Sequence, residues 1–165
     1  MKVILIAAIT VDGFIGYSSD HLANWTSSED KKVFVKITKE AGVIVLGSKT
    51  FQTIGRALPD RRNIVYTRNP KSIAVEGVET TDESPKLLVK RLSMEGHNSV
   101  AICGGATIYS LFLSAGLVTD IYLTIEPVIF GNGLGLFTER FEQKLKLVES
   151  KNLNEDTLLL HYITI

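Results

Sequence analysis

Short apolar runs rich in β-branched residues alternate along this chain with helical segments, several of which end at glycine. The first run, residues 2–9, is almost continuously apolar, which is typical of a strand buried on both faces. Further strands are predicted at residues 43–46, 63–67, 99–102 and 120–128, and helices at 27–41, 50–54, 85–94 and 106–115. Strands separated by helices predict a mostly parallel sheet with helices on both faces.

The C-terminal part of the chain breaks this alternation. Residues 144–150 and 157–165 alternate in polarity around a turn at 152–156, which predicts a hairpin with antiparallel strands at one sheet edge. The predicted fold is therefore three-layer α/β, with a mostly parallel central sheet of about eight strands. The length of 165 residues fits one unit and no linker or repeat divides it, so we expect a single domain, 1–165.

The composition narrows the range of partners. Eighteen basic and eighteen acidic residues cancel, so no electrostatic footprint for nucleic acid or an anionic membrane exists. The N-terminal apolar run is too short for a signal peptide or a membrane span, which favours a cytoplasmic protein. Cys103 is the only cysteine and the three histidines lack metal-ligand spacing, so we expect no metal. A small-molecule partner remains, and we expect a monomer rather than a homodimer.

Ligands of open α/β sheets bind beyond the carboxyl ends of the strands. The residues that follow the predicted strands are 10–25, 47–50, 67–69 and 103–107. Two of these segments, starting at Gly47 and Gly104, are glycine turns that lead into a helix. Small residues let a phosphate approach the backbone, and a helix N-terminus offers free N–H groups. Either turn alone is equally compatible with no ligand, but the pair favours a long ligand that contains a diphosphate.

The helix predicted at 27–41 carries a carboxylate on a partly apolar face. Asp30, Phe34 and Thr38 recur at i, i+4 and i+8 and therefore share that face. Capping is the stronger interpretation of this segment alone, because Ser27 and Asp30 have the spacing of a capping box, as do Thr26 and Glu29. One acid can cap while the other faces a ligand, and we expect Glu29 to be the capping one.

Three arginines, Arg56, Arg61 and Arg62, surround a Pro-Asp turn. In isolation this segment is best interpreted as a solvated loop. An arginine here can also form a forked pair with a carboxylate or a phosphate of a substrate.

Taken in order, these segments resemble dihydrofolate reductase along nearly the whole chain. Each piece is common, but their order and spacing are specific to that family. The pieces are VDGFIG at 11–16, Trp25, DKKVF at 30–34, VLGSKTF at 45–51, IGRALPDRRN at 54–63, ICGGATIY at 102–109 and YLT at 122–124. The chain departs from the family in a loop before Trp25 that is two residues longer, and in Asn24, Ser48 and Ala57, where the family has Pro, a basic residue and Pro.

The resemblance implies an NADPH-dependent reduction of dihydrofolate to tetrahydrofolate, with a role for each matching residue. Asp30 falls where the family holds the pterin ring and is the expected catalytic residue. The expected substrate-binding residues are Ile6, Ala8, Phe34, Ile54, Arg61, Cys103 and Thr124. The expected cofactor-binding residues are Ala8, Ile15, Gly16, Gly47, Ser48, Lys49, Thr50, Thr67, Arg68, Gly104, Gly105, Ala106, Thr107, Ile108 and Tyr109. Lys49 and Arg68 are the candidates for the 2′-phosphate, which favours NADPH over NADH.

Two alternatives stay open at this point. The chain also resembles the reductase domain of riboflavin synthesis, which shares the fold and reduces a ribosylamino-uracil phosphate. Arg61 would then bind the phosphate of that substrate. A dinucleotide-binding protein without turnover is the other alternative, and it predicts NADPH binding with no activity on any pterin.

Overall fold

The computed structural model describes residues 1–165. Its strands are β1 (Lys2–Thr10), β2 (Phe14–Gly16), β3 (Val43–Gly47), β4 (Arg62–Tyr66), β5 (Val78–Thr81), β6 (Ser99–Ile102), β7 (Asp120–Glu126), β8 (Leu134–Gly135), β9 (Leu145–Asn152) and β10 (Leu158–Thr164). Its α-helices are α1 (Ser28–Ala41), α2 (Ser48–Ile54), α3 (Pro85–Met94) and α4 (Ala106–Ser114). No helix has both the length and the apolar composition that crossing a bilayer requires.

Eight of the strands form one sheet in the order β5-β4-β3-β6-β1-β7-β10-β9. All neighbours from β5 to β7 pair in parallel, and β10 pairs antiparallel with both β7 and β9. The predicted fold class is therefore confirmed, including the antiparallel C-terminal hairpin. Parallel strands need crossover connections, and α1, α3 and α4 lie in three of them.

Three strands were not predicted from the sequence. β5 is a four-residue edge strand of mixed polarity, and β2 and β8 form a separate two-stranded sheet of only three and two residues. Segments this short carry too few residues to show a period of two. Three boundaries were also wrong by two residues, because β7 ends at Glu126 rather than at residue 128, α2 begins at Ser48 rather than at residue 50, and β9 ends at Asn152 rather than at residue 150.

The apolar core lies on both faces of the sheet. One cluster of sixteen buried residues includes Leu5, Val45 and Phe112 and packs under α3 and α4. The other, of ten buried residues, includes Ile6 and Phe51 and packs under α1 and α2. Successive residues of a strand point to opposite faces, so each central strand contributes to both clusters. This explains why the predicted central strands are almost continuously apolar.

Candidate active site

A cleft of about 1420 Å³ opens beyond the carboxyl ends of the central strands. It brings together most of the residues predicted for the site. Those that line it are Ile6, Ala8, Ile15, Asp30, Phe34, Gly47, Ser48, Lys49, Thr50, Ile54, Arg61, Thr67, Arg68, Cys103, Gly104, Gly105, Ala106, Thr107, Ile108 and Tyr109. Two predicted residues, Gly16 and Thr124, lie outside the lining. Gly16 is the last residue of β2, and Thr124 on β7 is 2% exposed. Thr124 is still close enough to Asp30 for its hydroxyl to lower the pKa of that carboxyl.

The Asp30 side chain enters the cleft from the first turn of α1. Burial raises the pKa of its carboxyl above the usual value, and the nearby charge of Glu126 acts in the same direction. Hydrogen bonds from the hydroxyls of Thr124 and Thr26 act in the opposite direction without reversing the shift of the pKa. No Lys, Arg or His forms a salt bridge with Asp30. A partly buried carboxyl whose pKa lies above the usual value therefore faces the cleft.

The start of α1 differs from the predicted arrangement. Ser27 is the N-cap, and its Oγ accepts the Asp30 backbone N–H at 3.1 Å. The expectation that Glu29 caps the helix is wrong, because its Oε2 accepts the Ser28 Oγ–H at 2.9 Å. The Ser27 N–H instead donates to Oε1 of Glu126 on β7, at 2.8 Å. Sequence proximity favours Glu29, whereas the long-range contact with β7 exists only in the folded chain.

Apolar side chains form the walls around Asp30. Ile6 on β1, Phe34 on α1 and Ile54 on α2 all border the cleft and pack on the same buried cluster. Cys103 is 8% exposed, and burial raises the pKa of its thiol far above the usual value, so it is a wall residue rather than a nucleophile. Such walls suit a flat heterocycle that is oriented by one polar group.

The three arginines of the Pro-Asp turn have different surroundings. Arg61 lines the cleft, and its guanidinium donates to Thr38 Oγ1 and to the Pro59 carbonyl, the latter at 2.8 Å. It forms no salt bridge, so its remaining N–H groups have no carboxylate partner. Arg62 points away from the cleft and pairs with Glu79 and Glu95. Arg56 also lines the cleft but is exposed.

The two glycine turns lie against each other. The Gly47 N–H donates to the Gly104 carbonyl at 2.7 Å, and the Gly104–Gly105 peptide bond is cis. A Cβ on Gly105 would lie 3.1 Å from Thr50 Oγ1, and one on Gly47 would lie 3.0 Å from Ile108 Cγ1. Both positions therefore need glycine for the close packing of the turns. α4 begins at Ala106, and its N-cap, Gly105, has no side chain to cap it, which leaves the first N–H groups of the helix open to the cleft.

Two cations stand at this end of the cleft without acidic partners. Lys49 follows β3 and Arg68 follows β4, and neither forms a salt bridge. The Lys49 Nζ contacts only the Ser19 Oγ, at 3.3 Å. Free cations beside an uncapped helix N-terminus suit an anionic group such as a phosphate.

An aromatic cluster covers the loop between β2 and α1. Tyr17 stacks on Phe130 with ring centroids 4.0 Å apart, and Trp25 contacts the same ring edge-on at 5.2 Å. His21 joins them, and its Nδ1 accepts the Tyr17 N–H at 3.2 Å. Trp25 and His21 line the cleft, so this cluster places the loop over one side of it.

Sequence reasoning missed several residues of the cleft. Lys31 and Val35 line it beside Asp30, and Leu58 and Tyr66 line it further along. Lys31 and Val35 are one turn apart on α1, but they lie on the face next to the one that Asp30 and Phe34 share, so the i, i+4 spacing from Asp30 does not select them. Glu126 lies outside the lining, two residues beyond Thr124 on the same face of β7.

Fold and cleft together define the class of protein: an α/β protein with one cleft, which has two glycine turns and free cations at one end and a partly buried carboxyl at the other. The chain belongs to the dihydrofolate reductase family, whose model matches residues 2–159. The predicted family is therefore confirmed.

Two curated relatives illustrate the range of this similarity. The chain is 26% identical to the uncharacterized protein YwjB of Bacillus subtilis, with 98% of this chain and 97% of YwjB covered. It is 38% identical to the dihydrofolate reductase of Staphylococcus haemolyticus, over 75% of this chain and 69% of that enzyme.

Solved structures of two kinds share the fold. Dihydrofolate reductase from Enterococcus faecalis, in complex with NADP(H), has a TM-score of 0.75 at 25% identity, covering 99% of this chain and 96% of that one. RibD of Acinetobacter baumannii has a TM-score of 0.84 at 21% identity. That match covers 99% of this chain but 58% of RibD, so this chain corresponds to part of that protein.

Proposed function

We propose that this chain reduces dihydrofolate to tetrahydrofolate with NADPH as the hydride donor. The observation that carries the proposal is that a carboxyl and a guanidinium border the same cleft at different places. Asp30, a partly buried carboxyl with a raised pKa, lies among apolar walls, and Arg61 borders the same cleft with no acidic partner. The amino group and ring nitrogen of a pterin pair with a carboxylate, and the carboxylate of a glutamate tail pairs with a guanidinium through two parallel hydrogen bonds.

The residues at the other end of the cleft fit the cofactor. The expected cofactor, NADPH, is confirmed by family membership together with a solved relative that holds NADP(H). Gly104 and Gly105 line the cleft without side chains and would let the diphosphate approach the first turn of α4, which has no side-chain cap. We infer that Lys49 and Arg68, both free of salt bridges, bind the 2′-phosphate.

The mechanism follows from what these residues do to a bound pterin. When bound, NADPH supplies the hydride that the pterin accepts at C6. Asp30 would orient the ring by accepting its amino and ring N–H groups, and the negative charge of its carboxylate would favour the protonated form of the substrate. The proton reaches N5 by way of water. Ile6, Phe34 and Ile54 keep bulk water from the ring, and holding both partners in one cleft supplies much of the acceleration.

A riboflavin-pathway reductase is the second candidate, and a specific observation favours it. Lys31 and Arg56 line the cleft in addition to Arg61, so the substrate end carries three cations. A phosphate dianion suits such a cluster as well as a glutamate tail does.

Arg61→Lys separates the two candidates. Lysine keeps the charge but cannot form two parallel hydrogen bonds to a planar carboxylate. In the folate reaction KM for dihydrofolate should rise by the equivalent of about 1.5–3 kcal/mol, and a dihydropterin without the glutamate tail should be almost unaffected. Arg62→Lys is the matched control, because Arg62 is the neighbouring residue, is paired with Glu79 and Glu95, and lies outside the cleft.

The substrates are dihydrofolate, a tailless dihydropterin and the phosphorylated ribosylamino-uracil, each followed by loss of NADPH absorbance. If only the phosphorylated compound responds to Arg61→Lys, the riboflavin reaction replaces the folate reaction. An unchanged KM for both dihydrofolate and the phosphorylated ribosylamino-uracil contradicts the role of Arg61. NADPH binding without consumption on all three would identify a dinucleotide-binding protein.

A further inference from the structure

The first turn of α1 is held by a reciprocal pair of hydrogen bonds that spans two elements. In a capping box, the N-cap hydroxyl accepts the N3 backbone N–H, and the N3 carboxylate accepts the N-cap backbone N–H. Ser27 is the N-cap here and Asp30 is N3, and the first of these bonds is present at 3.1 Å. The second bond is not made by Asp30. Glu126 of β7 accepts the Ser27 N–H at 2.8 Å in its place.

The Glu126 side chain is held in place by burial and by further hydrogen bonds. It is 2% exposed and lies outside the cleft lining. Its Oε1 also accepts the Ser27 Oγ–H at 2.8 Å, and its Oε2 accepts the Thr157 Oγ1–H at 3.3 Å. A buried carboxylate is costly unless hydrogen bonds satisfy it, and both of its oxygens are satisfied.

We propose that Glu126 is a positioning residue for Asp30: by occupying the Ser27 N–H, it leaves the Asp30 carboxyl free to face the cleft. The inference rests on the proposed function, in which Asp30 is the working carboxylate. Without Glu126, the Ser27 N–H would be a free donor three residues before Asp30. The Asp30 carboxylate would then complete the capping box and turn away from the substrate.

The charges around Asp30 add a second consequence. Asp30 faces Lys31 on its own helix, Glu126 on β7 and the Tyr109 hydroxyl on α4. Lys31 is exposed, whereas Glu126 is buried, so the negative charge is the less screened of the two. The charge of Glu126 raises the pKa of Asp30, and removing it should move the pH dependence of turnover to lower pH. Each pKa unit lost lowers the protonated fraction about tenfold at a pH above the pKa.

Two substitutions separate position from charge. Glu126→Gln keeps an oxygen for the Ser27 N–H and removes only the charge. We expect its kcat/KM profile to shift to lower pH, with the same maximum. Glu126→Ala removes the acceptor as well, and we expect kcat/KM to fall by roughly 10- to 100-fold at every pH, the usual scale for a displaced catalytic group. NADPH binding, measured by Trp25 fluorescence, should be unchanged in both variants.

Glu29→Gln and Glu29→Ala are the matched controls. Glu29 is in the same helical turn, but its carboxylate contacts Ser28 and lies 3.7 Å from the exposed Lys32. Removing it should leave both the rate and the pH profile as in the unsubstituted protein. Glu126→Ala should also have no further effect when combined with Asp30→Asn, because the two residues act through one carboxyl.

The inference is overturned if Glu126→Ala retains the kcat/KM and pH profile of the unsubstituted protein. It is equally overturned if Glu126→Gln loses turnover and NADPH binding together, since that result marks a structural role only. If Glu126→Ala does not fold, Glu126→Asp takes its place, because its shorter side chain withdraws the carboxylate from the Ser27 N–H: a fall in kcat/KM is expected, and an unchanged kcat/KM overturns the inference. Failure of the proposed function is a separate result, because the unsubstituted protein would then not consume NADPH with dihydrofolate.

Discussion

Asp30 and Asp120 are two aspartates on which burial acts in the same direction. Asp30 lies in the first turn of α1, and Asp120 is the first residue of β7. Asp120 begins β7, and Thr124 and Glu126, which act on Asp30, lie further along the same face of that strand. Burial acts to raise the pKa of both carboxyls, yet the net shift of the pKa has opposite directions at the two sites. At Asp120, hydrogen bonds from Thr119 and His161 and the charge of Lys2 outweigh burial and lower the pKa. At Asp30, burial prevails and the pKa is raised.

The difference lies in the partners of each carboxyl. Asp120 receives the Thr119 hydroxyl at 2.7 Å and His161 Nε2 at 2.9 Å, with Lys2 at 3.8 Å. His161 is itself fixed by stacking on Tyr122, with ring centroids 4.1 Å apart. Asp30 has two threonine hydroxyls and a like charge, and it borders the cleft. A carboxylate with its full set of partners stabilises the fold, whereas one that lacks a cationic partner is available to a ligand.

The largest expected difference between the two sites is in turnover. Asp30→Asn should keep the fold and NADPH binding but lower kcat/KM at neutral pH by about 10²–10⁴-fold, because the amide cannot favour a protonated pterin. Asp120→Asn makes the same substitution at the other end of the sheet and should leave turnover unchanged. Steady-state loss of NADPH absorbance measures both. Equal losses in the two variants would remove the distinction.

The next difference is in stability, and it has opposite signs at the two sites. Asp120→Asn removes the charge that pairs with His161 and Lys2 and should lower the free energy of unfolding by about 1–3 kcal/mol. Asp30→Asn removes a charge that burial disfavours and should raise it by about 0.5–2 kcal/mol at neutral pH. Urea unfolding of the three proteins tests both signs. A destabilised Asp30→Asn would mean that Asp30 is a structural carboxylate like Asp120.

The smallest effect is the change of these differences with pH. The pKa of Asp120 is lowered, so its stabilisation is present above the usual value of 3.8 and is lost as pH falls through the folded-state pKa. The pKa of Asp30 is raised, so its contribution is present at low pH and is lost as pH rises through the folded-state pKa. The advantage of Asp30→Asn should therefore vanish in acid. Urea unfolding between about pH 3 and pH 8 follows both trends.

The sheet was largely predictable because its central strands have a simple pattern. Runs such as residues 43–46 are buried on both faces, and their apolar residues are continuous enough to recognise. The edge strand β5 was not recognisable, since Glu79 on it pairs with Arg62 and Arg91 rather than joining the core. Its place in the sheet depends on those distant partners.

The candidate site was predictable where function imposes a local motif. The glycine turns and Asp30 were ambiguous as single segments, and they became predictions through the order and spacing in which the segments resemble the family. Glu126 was not predictable in this way, because its partners Ser27 and Thr157 are 99 and 31 residues away in the chain. The capping role given to Glu29 failed for the same reason: a local rule was satisfied by a side chain from another strand.

A ¹³C NMR titration of the aspartate carboxyls tests the central claim most directly, with Asp30→Asn and Asp120→Asn used for assignment. The protein without ligands suffices, so the result does not depend on the choice of substrate. The account predicts that Asp30 titrates above the usual pKa of 3.8 and Asp120 below it. It also predicts that Glu126→Gln lowers the pKa of Asp30 and leaves that of Asp120 unchanged. An Asp30 that titrates at or below the pKa of Asp120 would contradict the account.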